Sequence, residues 1–173
     1  SSVNDDPKQG DYGWETLIHE VGHTLGLKHP GAYNAGGGVA PTPYLNAADD
    51  NRRTTVMSYK DAADTKNWTN VGNGGYIYSA INPATYMPLD LLSLQFLYGK
   101  NTTGISLTDS AMSLGDYQKT TFTSDWLGMQ TLSSTRDGLD INLSGVSSSN
   151  IVDLRAGAFS SINIKDATYN ATV

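Results

Sequence analysis

The sequence predicts an α+β fold, and three observations carry that reading. Apolar residues recur at helical period through residues 12–26. A second apolar run, Pro88 to Gly99, opens on proline and closes on glycine, as helices do. After residue 100 the chain turns rich in Ser and Thr, and short strand-like runs recur about ten residues apart.

In the first helix Trp14, Leu17, Ile18, Val21 and Leu25 form one apolar stripe, expected to face a core. His19 and His23 are expected to project from the opposite side. They belong to the stretch His19-Glu20-Val21-Gly22-His23-Thr24-Leu25-Gly26-Leu27-Lys28-His29-Pro30. On a helix, residues four apart share a face, so two imidazoles can address one metal ion. Gly26 accepts the left-handed backbone that ends a helix, and His29 can then return to the same ion. Three neutral nitrogens with one open position are the ligand set of a catalytic zinc. The chain holds 3 histidines, and all of them stand in this motif.

Residues 1–10 read as a loop. Residues 30–54, with Gly36-Gly37-Gly38, Pro41 and Pro43, read as a long loop that lines a cleft. Thr54 to Tyr59 reads as a short β-like run ending in a turn, and residues 60–86 as loop-rich around Asn73-Gly74-Gly75. The Pro88–Gly99 helix is apolar almost all round and is expected to be buried. Beyond it, Ile141-Asn142-Leu143, Ile151-Val152-Asp153-Leu154 and Ile162-Asn163-Ile164 suggest a small β-sandwich or β-roll layer. We place a boundary near residue 100, giving segments 1–100 and 101–173.

Bulk properties exclude several function classes. The 173 residues carry a net charge of −6, which disfavours nucleic acid and anionic membrane as partners. No apolar run approaches the ~20 residues of a membrane span, and the N-terminus lacks a signal-peptide pattern. The absence of cysteine excludes disulfides and thiolate zinc sites.

The extended histidine motif followed by Val56-Met57-Ser58-Tyr59 resembles the metzincin metallopeptidases. Pro30 after the third histidine, the helix from Leu89 to Gly99, Tyr12-Gly13-Trp14 and Pro30-Gly31-Ala32-Tyr33-Asn34 narrow the resemblance to the serralysin-like group of secreted bacterial proteases. It covers roughly residues 10–100, and more weakly 100–165. It implies a metzincin-like catalytic subdomain followed by the entry to a β-roll. It implies that His19, His23 and His29 bind zinc, that Glu20 is the general base, and that Met57 floors the site. It also implies that Tyr59 is an additional zinc ligand that swings away when a protein or peptide substrate binds. The resemblance implies a secreted, extracellular location.

Two departures stand out. Only 18 residues precede His19, where the family has an upper subdomain. A preceding fragment or a second chain is expected to complete the catalytic domain. The family's calcium-binding repeats do not appear either. Asp137 and Asp140 therefore keep two readings, as calcium ligands or as a solvated Asp-Gly turn. Two rival classes are a zinc-binding but inactive module and an adhesin segment with an inherited motif. An adhesin has no reason to keep Glu20 between intact ligands, so the reading adopted is that the parent protein is a zinc endopeptidase and that the isolated chain is impaired or inactive.

Overall fold

The structure is a computed structural model that describes residues 5–62, 65–100, 119–123, 128–133 and 140–164. In chain order these hold α1 (Tyr12–Thr24), β1 (Lys66–Gly72), β2 (Gly75–Ala80), α2 (Pro88–Tyr98), β3 (Lys119–Thr123), β4 (Asp140–Gly145), β5 (Ser149–Ile151) and β6 (Ser161–Ile164). The content is mixed α+β, as expected. No helix among the described residues is long and apolar enough to cross a membrane.

Helix α1 starts where Asp11 accepts the Trp14 backbone N–H at 2.7 Å, which satisfies one of the orphan donors of the first turn. It ends in a Schellman turn. Gly26 has φ of +90°, its N–H donates to His23 O at 3.0 Å, and the Leu27 N–H reaches Gly22 O at 2.9 Å. The helix stops here because glycine alone takes that φ without strain.

The core gathers Ile18, Leu27, Val56, Met57, Tyr86, Leu91 and Leu94, with Trp14 and Leu25 packed against it. Tyr86 is fully buried and donates its hydroxyl to Ile18 O at 3.0 Å. The Trp14 indole donates to Ala84 O at 2.9 Å. The buried sector of α1 is rotated from the expected stripe: it runs through Glu15, Ile18, His19 and Gly22, whereas Leu17 is 46% exposed. His19 therefore lies at the edge of the core rather than opposite it. The rotation is permitted because the Glu15 carboxylate pairs with Arg52 Nε at 2.6 Å. Burial still pushes the Glu15 pKa up to about 7, against the pull of Arg52.

Gly22 shows how tightly Met57 underlies the helix. A Cβ there would stand 2.8 Å from Met57 Sδ. Gly22→Val is accordingly expected to destabilise the chain by about 1–3 kcal/mol through overpacking. Urea unfolding measures this, and an unchanged midpoint would show that Met57 moves aside at no cost.

Three expectations are corrected. Residues 54–59 form turns rather than a β-like run. The Val56 N–H does not enter a strand ladder but donates to Asp90 Oδ2 at 2.8 Å. Residues 66–80 are not loop but an antiparallel hairpin, with Lys66 opposite Ala80 and Trp68 opposite Tyr78. Asn73 (φ +52°) and Gly74 (φ +74°) make its turn, the positive-φ pair that a two-residue hairpin loop requires. Helix α2 is not buried all round. Asp90, Leu91 and Leu94 face the core, while Leu92 and Phe96 are 61% and 88% exposed. One stripe suffices to meet α1 and Met57, and the described residues leave the other face open.

Beyond residue 100, β3 pairs with β4 in parallel and β5 with β6 antiparallel, as separate two-stranded sheets. The expected runs at 141–143 and 162–164 lie in β4 and β6, but 152–154 falls outside β5. Met129 exchanges backbone hydrogen bonds with Asn82 and Ala84, and Arg53 lies 4.3 Å from the Phe159 ring centroid. These contacts tie Met129 and Phe159 to the connecting segments that hold Asn82, Ala84 and Arg53.

Candidate metal centre

The three histidines converge. His19 and His23 come from successive turns of α1, and His29 comes from the loop that the Gly26 turn sends back. His19 Nε2 and His29 Nε2 are 3.2 Å apart, and His23 Nε2 and His29 Nε2 are 3.1 Å apart. The other nitrogen of each ring faces an oxygen. His19 Nδ1 meets Val56 O at 2.9 Å, and His23 Nδ1 meets Leu27 O at 3.0 Å. His29 Nδ1 meets Asn34 Oδ1.

Those three oxygens fix the tautomers. A carbonyl oxygen only accepts, so each Nδ1 carries the proton and donates it. Each Nε2 is then a bare lone pair. Three lone pairs pointed at one another repel, and a cation between them relieves this. Tetrahedral zinc with bonds of 2.0–2.1 Å separates its ligand nitrogens by about 3.3 Å, close to the spacing seen. The donor set therefore fits a zinc ion, and these are the only His, Cys, Asp or Glu among the described residues grouped to hold a metal. Burial also lowers the His19 pKa, with the hydrogen bond to Val56 opposing it, which favours the neutral ring.

The orienting oxygens were not identified from sequence, although each has a cause. Leu27 O is turned back by the Schellman motif. Val56 O belongs to the turn before Met57. Asn34 follows His29 by five residues, a short loop return.

The other expected site residues fall around this cluster. Met57 is 1% exposed and lies under α1 at Gly22. The Tyr59 ring is 5.7 Å from that of His19 and 4.6 Å from that of His29, centroid to centroid, and is 43% exposed. Glu20 is exposed on α1 beside His19. Asp140 is the exposed first residue of β4 and stands in no metal-ligand group among the described residues. Asp137 lies outside the described residues.

The sequence was compared with known proteins. The chain is 37% identical over 163 residues to serralysin of Proteus mirabilis, a match covering 92% of the chain. The chain is serralysin-like. It is also 44% identical over 102 residues to the metalloprotease AprA of Pseudomonas entomophila, and 39% identical over 97 residues to serralysin C of Dickeya chrysanthemi. The two latter matches cover 57% and 56% of the chain. The chain spans 31%, 19% and 18% of the lengths of these three relatives. No family model matches it. The matched relatives are named as serralysins and a metalloprotease, and the three histidines of this chain are placed where they could hold a metal ion.

Proposed function

We propose that this chain carries the zinc site of a secreted endopeptidase that hydrolyses protein substrates. The observation that supports the reading is the convergence of three Nε2 lone pairs, each fixed by an oxygen behind its ring. His19, His23 and His29 are the zinc ligands. A zinc ion held there lowers the pKa of water toward ~7 and polarises a substrate carbonyl.

The chain's own residues supply the rest. Glu20 takes the proton of the attacking water and passes it to the leaving amine. Its exposed place on α1, next to His19, gives both water and substrate access to it. Tyr59 is an additional ligand at rest, and its hydroxyl donates a hydrogen bond to the developing oxyanion. Met57 holds the floor against α1 and takes no part in proton transfer. Residues 1–100 form the catalytic portion and 101–173 a β-rich portion, and a preceding segment or second chain completes the substrate cleft. A calcium role for Asp137 or Asp140 stands beside the reading of a solvated Asp-Gly turn, and an unchanged melting temperature in a calcium titration removes it.

Zinc content and chelator-sensitive hydrolysis of a protein substrate test the reading together. Tyr59→Phe separates the roles at the site. It is expected to keep zinc and part of the activity, because the metal carries most of the charge stabilisation. Loss of zinc in that variant would make Tyr59 essential to the site's assembly. Undiminished kcat would remove its role at the oxyanion.

A further inference from the structure

Beneath Tyr59 lies a second network. Asp50 is 4% exposed, and its Oδ1 accepts from the Tyr33 hydroxyl at 2.6 Å and from Ser58 Oγ at 2.7 Å. Its Oδ2 accepts from Lys60 Nζ at 2.6 Å. Ser58 and Lys60 are the two chain neighbours of Tyr59. Ser58 Oγ also accepts the Lys60 backbone N–H at 3.1 Å. The Tyr33 ring lies 5.0 Å from the Tyr59 ring and 5.6 Å from the His29 ring. One carboxylate thus grips the residue before Tyr59, the residue after it and the ring beside it.

The space is built for these partners. A Cβ at Gly31 would stand 2.3 Å from the Tyr33 ring and 2.9 Å from Asp50 Oδ2, so only glycine lets the loop after His29 pass so close. Burial alone would raise the Asp50 pKa, but the hydrogen bonds from Lys60, Tyr33 and Ser58 outweigh it and hold the carboxylate below its ordinary range. The Tyr33 hydroxyl is pushed up to about 12 by burial and by Asp50, so it stays a donor. A buried charge met by three donors is expensive to disturb and therefore fixes local geometry. The three donors to Asp50 come from Tyr33, Ser58 and Lys60, and the Tyr59 ring itself is 43% exposed.

We infer that Asp50 is the positioning residue for Tyr59: it clamps Ser58, Lys60 and Tyr33, so that the Tyr59 backbone stays fixed while its ring moves toward or away from the metal. The inference rests on the proposal that Tyr59 is a metal ligand. Its consequence is that the presence of Tyr59 is not enough, and that the phenol reaches the metal only from the clamped backbone.

Copper(II) is the probe. The ion suits imidazole ligands, and a phenolate bound to it gives a charge-transfer band in the visible, separate from the weak bands that the imidazoles give. The wild-type chain, Tyr59→Phe, Asp50→Ala, Asp50→Asn and Tyr33→Phe are each loaded with one equivalent of copper and compared. The clamp predicts a band in the wild type, its loss in Tyr59→Phe, and loss of most of its intensity in Asp50→Ala with copper still bound. Asp50→Asn keeps an oxygen for Tyr33 and Ser58 and is expected to restore part of the band. Tyr33→Phe, the mildest change, is expected to weaken it and serves if Asp50→Ala does not fold. A full band in both Asp50→Ala and Tyr33→Phe overturns the clamp and leaves Tyr59 a ligand. If Asp50→Ala does not fold, a full band in Tyr33→Phe and Asp50→Asn overturns it. A wild type without the band, with copper bound, overturns the Tyr59 reading itself and the clamp with it.

Discussion

Glu20→Gln keeps its zinc and loses peptide hydrolysis by about 10²–10⁴-fold, the range a positioned acid–base group contributes. Glutamine has nearly the shape of glutamate, and an exposed position on α1 tolerates it. The histidine triangle should not change, because no ring nitrogen is oriented by Glu20: the partners of His19, His23 and His29 are Val56 O, Leu27 O and Asn34 Oδ1. The loss should therefore fall on kcat, with KM little altered. The comparison is made on the chain itself, or on the full-length gene product where the chain alone shows no turnover. Wild-type activity in Glu20→Gln would remove the base assignment while leaving the metal site intact. Loss of zinc would show that Glu20 holds the metal as well.

The second large effect concerns His29. It lies on a loop, so His29→Ala leaves the α1 ladder untouched, unlike a change at His19 or His23. It removes the nitrogen that stands 3.2 Å from His19 Nε2 and 3.1 Å from His23 Nε2. The variant is expected to bind zinc more than ~100-fold more weakly, since loss of even an outer partner of a ligand costs 10–100-fold. Thermal unfolding checks this directly. Zinc at 100 times its dissociation constant stabilises a folded chain by about 2.7 kcal/mol. The wild type should show that gain, and His29→Ala should show almost none at the same zinc concentration. Equal stabilisation of both would mean that His29 is not a ligand.

How much of this was legible from the residues varies with the range of the interaction. His19, His23 and His29 lie within eleven consecutive residues, so helix periodicity and one glycine turn bring them together. The Gly26 turn could be read because its cause is local: glycine takes a φ that other residues resist. The hairpin was also local, and Asn73-Gly74 between Trp68 and Tyr78 was its signal, passed over as loop. The turn at 54–59 was read as β-like because its partners are distant. Val56 and Thr55 hydrogen-bond to Asp90, 34 and 35 residues away, and no period in the sequence announces that. A lone acid in the apolar run after Pro88 was the available hint, since a buried carboxylate needs donors. The rotated face of α1 has the same origin: Glu15 can be buried only because Arg52 arrives from another part of the chain. The open face of α2 could not be read from an apolar run, because composition says what can be buried and not whether something covers it.

Zinc stoichiometry on the purified, folded chain tests the central claim most directly. With His19, His23 and His29 as the proposed ligands, one zinc per chain is expected, bound through imidazole nitrogen and lost together with the His29 side chain. A folded chain that takes up no zinc, or that binds it equally well in His29→Ala, would contradict the account.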